Sequence, residues 1–171
     1  MPDHKTIGFI GLGVMGEPIC RNLVKKSGKR VIAFDLSPEP LARLRSDGAE
    51  VAASVADVIR QSDLVFLCLP SANHVRAVFE GDGILKNIRA GQVVVDLGTS
   101  SVSQTRDFAR QLQAKGASWA DAPIARTRQA AQDGTLSVMV GATAGFYAAI
   151  EPSIRCFATD VTVAAMSAPG K

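Results

Sequence analysis

Gly11, Gly13 and Gly16, set in the run Gly11-Leu12-Gly13-Val14-Met15-Gly16, are the residues whose type and spacing point most directly to chemistry. The apolar stretch Ile7-Gly8-Phe9-Ile10 leads into them, and a helical pattern of Ile19, Cys20, Leu23 and Val24 follows. In a strand, turn and helix so arranged, the first glycine permits the sharp turn. The second lets the backbone approach a diphosphate, and the third lets the helix pack closely. Free N–H groups and the positive end of the helix dipole then favour an anion. A second apolar run, Arg30 to Phe34, ends in Asp35, about twenty residues beyond the glycines, where a carboxylate can receive the hydroxyls of an adenosine ribose. Together these features predict a dinucleotide site made by Gly11, Leu12, Gly13, Val14, Met15, Gly16 and Asp35. NAD is favoured over NADP, because a 2'-phosphate about 4 Å from Asp35 would be repelled by up to about 4 kcal/mol at an effective dielectric of about 20. Leu36 and Ser37 follow Asp35, with no adjacent arginine.

The elements that must position these residues follow in order. A helix through Leu41, Leu44 and Arg45 stops at Gly48; a short strand near 50–52 and a short helix over 55–60 come next. Leu64 to Leu69 is apolar on both parities, as a parallel strand covered on both faces must be, and Pro70 ends it. The patterns then predict a helix over 72–79, a strand over 93–96, a helix over 103–114 stopped by Gly116, and a strand over 117–122. Pro123 opens a polar loop holding Arg126, Thr127 and Arg128, followed by a strand over 135–140, a helix over 144–154 and a last strand over 157–163. Strand and helix alternate, which predicts an α/β fold with right-handed crossovers and a doubly wound, mostly parallel sheet. Ligands on such sheets bind outside the carboxyl ends of the strands, so four turns matter: 11–16, 69–73, 98–101 and 122–128.

Composition narrows the function classes. The 171 residues, 47% apolar and 20% charged, suit one ordinary domain able to bury about 70% of its unfolded surface. The net charge of +3, with no basic block beside aromatics, gives no sign of nucleic-acid binding. The longest apolar runs fall far short of the roughly twenty residues that cross a bilayer. Cys20, Cys68 and Cys156 are odd in number and lack metal spacing, which suits a reducing, cytoplasmic setting and no metal. Cys20, Cys68, Trp119 and Tyr147 are expected in packing, His74 on an exposed helix face, and Asp96 and Asp121 fixing turns.

Several motifs fall into one order: GFIGLGVMG, FDLSPE, CLPSANHV, VVVDLGTSS and DAPIARTRQAAQDGTLSVMVG. The chain thereby resembles the β-hydroxyacid dehydrogenases, the group of 3-hydroxyisobutyrate dehydrogenase, over nearly its whole length. Its GTLSVMVG ending looks less like the matching stretch of 6-phosphogluconate dehydrogenase. The resemblance implies a Rossmann domain over 1–171, ending just before an interdomain helix, with the family's C-terminal helical domain absent. It implies hydride transfer between NAD and a small anionic 3-hydroxy acid or semialdehyde. A lysine serves as general acid and base, and here it would lie beyond Lys171, past the turn Ala168-Pro169-Gly170. The resemblance adds Leu69, Pro70, Ser71, Asn73 and Thr99 to the cofactor site and assigns Thr99, Ser100, Ala125, Arg126 and Thr127 to the substrate.

Two departures shape that assignment. Gly98 replaces the serine of the family's Asp-x-Ser-Thr turn, leaving Thr99 and Ser100 as donors. Ala125-Arg126-Thr127 replaces a Ser-Gly-Gly turn, so that a guanidinium, suited to bidentate contact with carboxylate, sulfonate or phosphate, stands where the substrate's acid group is received; sulfolactaldehyde reductases carry a similar arginine. The expectations are an enzyme acting on a small anionic substrate, active only with its second domain, and a homo-oligomer, since the face awaiting that domain would be apolar. The alternatives are a catalytically silent nucleotide-binding module and an imine reductase.

Overall fold

A computed structural model describes residues 4–142 and 144–165. The turn Ala168-Pro169-Gly170 and Lys171 lie outside the described residues. In chain order the elements are β1 (Thr6–Ile10), α1 (Gly16–Lys26), β2 (Arg30–Phe34), α2 (Pro38–Asp47), β3 (Glu50–Val51), α3 (Val55–Gln61), β4 (Leu64–Leu67) and α4 (Ala72–Glu80). There follow α5 (Ile84–Asn87), β5 (Val93–Asp96), α6 (Val102–Gln113), β6 (Ser118–Asp121), β7 (Ile124–Ala125), α7 (Arg128–Asp133), β8 (Leu136–Ala142), α8 (Ala144–Ile154) and β9 (Ala158–Ala165).

The strands form one sheet in the order β3-β2-β1-β4-β5-β6-β8-β7, with β9 also paired to β8. From β3 to β6 every pairing is parallel, and the winding reverses between β1 and β4. Side chains of one parity, such as Phe9, Phe66 and Val95, meet Ile19 and Leu23 of α1 and Ile150 and Ile154 of α8. Those of the other parity, such as Val65, Leu67 and Val94, meet Val58 of α3, Phe79 of α4 and Phe108 of α6. On that second face Phe79 stacks on Phe108 at 3.9 Å, and Trp119 closes edge-on over both. Packing on both faces explains the unbroken apolar strands.

The run of parallel strands breaks after β6. β8 runs antiparallel to β6 and β7, and only β9 lies parallel to it. A parallel return needs a crossover spanning the sheet, and the six-residue α7 rises only about 9 Å. The segment read as a polar loop after Pro123 thus holds β7 and α7, and β8 re-enters from the carboxyl edge. Cys20 is fully buried, and burial raises its thiol pKa. Cys68, beside the first turn, has its thiol pushed up to about 12 by burial, with the Asp96 charge adding. Neither suits nucleophilic chemistry at neutral pH.

Candidate active site

The three glycines play three distinct parts. Gly11 has φ +102°, and a Cβ there would lie 2.2 Å from the carbonyl of Cys68. At Gly16 a Cβ would lie 2.0 Å from the carbonyl of Gly11, so the close approach is of helix to turn. Around Gly13 nothing lies within 4 Å of a built Cβ, and this open backbone is the one an anion can reach. The start of α1 is correspondingly bare: Met15 at its N-cap makes no side-chain hydrogen bond. By contrast α3, α4, α6 and α7 are capped by Ser54, Ser71, Ser101 and Thr127. A side-chain cap satisfies amides that a diphosphate would otherwise use.

Asp35 ends β2 beside this turn. Its Oδ2 accepts the Leu12 N–H at 2.6 Å, and its Oδ1 accepts the Ser37 N–H at 2.8 Å. An ionised carboxylate offers about four acceptor positions, so ribose hydroxyls can still be received. A cleft of about 510 Å³ opens here, lined by Leu12, Gly13, Val14 and Asp35. Glu17 and Arg21 of α1, Arg43 of α2 and Arg128 of α7 line it as well, and sequence reasoning had not placed them at the cofactor site. Arg43 grips Glu17 through both carboxylate oxygens, at 2.8 and 2.7 Å, and Arg21 joins Glu17 to Asp47. Arg43 foremost, opposed by burial and helped by Arg21, holds the Glu17 carboxyl at about 2. Only the position of Glu17 beside Gly16 could have flagged this group, since its partners come from another helix.

The turns at 69–73 and 98–101 and residues 125–127 lie along the same carboxyl edge but do not line that cleft. Leu69 is half-buried against the second core cluster, its side chain 3.1 Å from the built Cβ of Gly11. Pro70, Ser71 and Asn73 are exposed, and Ser71 contacts the exposed His74 at 2.7 Å. Asp96, wholly buried, accepts from the Gly98 N–H and the Ser100 hydroxyl, each at 2.9 Å. The Ser100 hydroxyl proton is thus committed within the turn, while Thr99 is exposed. Burial raises the Asp96 pKa despite these bonds. Its register neighbour Asp121 has one buried oxygen without a partner among the described residues, and burial, with the Asp96 charge adding, pushes its carboxyl up to about 6.

Ala125, Arg126 and Thr127 are exposed. Arg126 has φ +96°, the only positive φ outside glycine among the described residues, at the place of a glycine in the motif it resembles. Its guanidinium donates to the Thr135 carbonyl at 3.1 Å and to Asp160 at 3.3 Å. Thr127 Oγ1 accepts the Ala130 N–H at 3.2 Å, which leaves its O–H free to donate. Among the described residues no group of three or more His, Cys, Asp or Glu could hold a metal ion, and no helix is long and apolar enough to cross a membrane.

Residues 6–165 match the family described as the NAD binding domain of 6-phosphogluconate dehydrogenase. The 2-(hydroxymethyl)glutarate dehydrogenase of Eubacterium barkeri is 38% identical over 94% of this chain and 54% of its own length. The mitochondrial 3-hydroxyisobutyrate dehydrogenase of Rattus norvegicus is 34% identical over 94% of this chain and 48% of its own length. Among solved structures, a Mycobacterium tuberculosis 3-hydroxyisobutyrate dehydrogenase with L-serine superposes with a TM-score of 0.87, at 28% identity, over 94% of this chain and 54% of that one. The chain spans about half the length of the curated relatives it matches.

Proposed function

Since the chain belongs to the family of NAD-binding domains described for 6-phosphogluconate dehydrogenase, we propose that it is the cofactor-holding half of an NAD-dependent β-hydroxyacid dehydrogenase. The observation that carries this reading is the open backbone at Gly13 beside an uncapped α1, with Asp35 hydrogen-bonded to Leu12. Leu12 and Gly13 would hold the diphosphate by backbone amides, and Asp35 the adenosine ribose. Once bound, NAD supplies the hydride acceptor, and NADH the donor, for a small hydroxy acid and its semialdehyde. The negative charge of Asp35 opposes a 2'-phosphate and so favours NAD.

On the substrate side, Arg126 receives an anionic head group. Its pair with Asp160 is about half exposed on both partners, and such pairs contribute at most about 1 kcal/mol, so a substrate acid can displace Asp160 at low cost. A left-handed backbone costs an arginine about 1–2 kcal/mol, and strain of this kind marks a position retained for its side chain. Thr127 and Thr99 add hydroxyl donors, Ser100 steadies the Thr99 turn through Asp96, and Ala125 leaves room before the guanidinium. The general acid and base, a lysine, is expected beyond residue 171.

The test is a panel of small semialdehydes, their sulfonate analogues and a cyclic imine, assayed with NADH on the full-length protein. Reduction of the anionic aldehydes, with KM raised at least about tenfold and NADH affinity kept in Arg126→Ala, is the expected result. Reduction of the imine alone would identify an imine reductase, and no turnover a silent cofactor module. For this chain by itself, we expect NADH binding without turnover. Met139 and Val163, on adjoining strands and 55% and 41% exposed, support self-association, which sedimentation would report as a dimer.

A further inference from the structure

Three guanidinium groups share the cleft with the glycine turn, and their charges are matched differently. Those of Arg21 and Arg43 are neutralised by Glu17 and Asp47. Arg128 makes no side-chain hydrogen bond or ion pair among the described residues. It occupies the first position of α7, whose start is capped by Thr127 and whose end closes at Gly134 in the left-handed conformation. The buried Asn22 amide ties this helix to α1, donating to the carbonyls of Ala131 at 2.9 Å and Gln132 at 3.3 Å. Buried Ala130 and Ala131 lie against the same face. The backbone from which Arg128 reaches is therefore fixed beside the turn, and this unmatched arginine lines the cleft.

A diphosphate in this cleft calls for a cation. The diphosphate of a dinucleotide carries two negative charges, while a helix start supplies the equivalent of about half a positive one. Asp35 and Glu39, on the same cleft, add negative charge. Building on the dinucleotide reading, we propose that Arg128 is a second arm of the phosphate site, gripping the diphosphate from the α7 side while Leu12 and Gly13 hold it from α1. A guanidinium offers two parallel N–H donors to phosphate oxygens. This separates Arg128 from Arg126 two residues earlier, whose guanidinium reaches instead to Thr135 and Asp160.

The experiment titrates the chain and its Arg128→Gln and Arg126→Gln variants with NADH, ADP-ribose, 2'-phospho-ADP-ribose and adenosine, with melting temperature checked alongside. Arg128→Gln should weaken NADH, ADP-ribose and 2'-phospho-ADP-ribose by a similar factor, about tenfold. Adenosine binding and the melting temperature should stay as they were, and Arg126→Gln should leave NADH unchanged. Equal NADH affinity in Arg128→Gln and the parent chain would overturn the proposal while leaving the dinucleotide reading intact. A loss confined to 2'-phospho-ADP-ribose would overturn it too, moving Arg128 to the 2'-position. Failure of the parent chain to bind NADH would remove the dinucleotide reading and this proposal with it.

Discussion

The Leu12 N–H donates to Oδ2 of Asp35 at 2.6 Å, so the carboxylate expected to hold the ribose also closes the glycine turn. One residue therefore serves both turn geometry and cofactor choice. Asp35→Ala should weaken NADH binding by about tenfold or more and lower stability by about 1–2 kcal/mol through the lost charged hydrogen bonds. It should also narrow the gap between NADH and NADPH, because the repulsion facing a 2'-phosphate goes with the carboxylate. Paired fluorescence titrations and urea unfolding measure both effects; an unchanged NADPH-to-NADH ratio would contradict the role in cofactor choice.

Gly13 and Gly16 separate binding from folding. Gly16→Ala places a Cβ 2.0 Å from a backbone carbonyl and should cost at least about 1–3 kcal/mol, visible as a lower melting temperature. Gly13→Ala meets nothing within 4 Å and should melt with the parent chain, yet lose NADH affinity because the methyl stands where the diphosphate approaches. A Gly13→Ala variant that binds NADH like the parent would place the diphosphate elsewhere.

The contrast between these glycines shows what could be read from the sequence. Their spacing, the apolar strands and Asp35 are local signals, and the structure places them together at the sheet's carboxyl edge. Strand polarity after β6 was not legible, because β7 and α7 are too short to show a period. What marks α7 is its Thr127 cap and Gly134 stop, seen only once the helix is in view. The Arg43–Glu17 pair depends on how α2 lies against α1, which no short-range pattern encodes. Nor does the Arg126 side chain's turn toward Asp160 follow from motif position, since it depends on β8 and β9 running side by side.

Asp121 gives the chain a pH dependence of defined sign. Its carboxyl sits at about 6 against an ordinary 3.8, burial being the larger cause and the Asp96 charge the smaller. The folded chain thus keeps a proton that the unfolded chain releases. The stability tied to that proton is complete below about pH 4 and is lost as pH rises through about 6, amounting to about 3 kcal/mol at most. Urea unfolding at pH 5 and pH 8 should show about half of this fall in the parent chain and a shallower one in Asp121→Asn. Identical slopes would show that Asp121 titrates normally.

Arg126→Gly tests the strained turn. Glycine adopts φ +96° without penalty, so losing the exposed Asp160 pair should leave stability unchanged or raised by up to about 1 kcal/mol, while the full-length enzyme loses affinity for its anionic substrate. A clear fall in melting temperature would assign Arg126 a structural role instead.

Calorimetric titration of this chain with NADH is the most direct measurement of the central claim. The account predicts saturable one-to-one binding that ADP-ribose competes away and Gly13→Ala abolishes. Absence of binding, or binding indifferent to Gly13→Ala and to ADP-ribose, would contradict it.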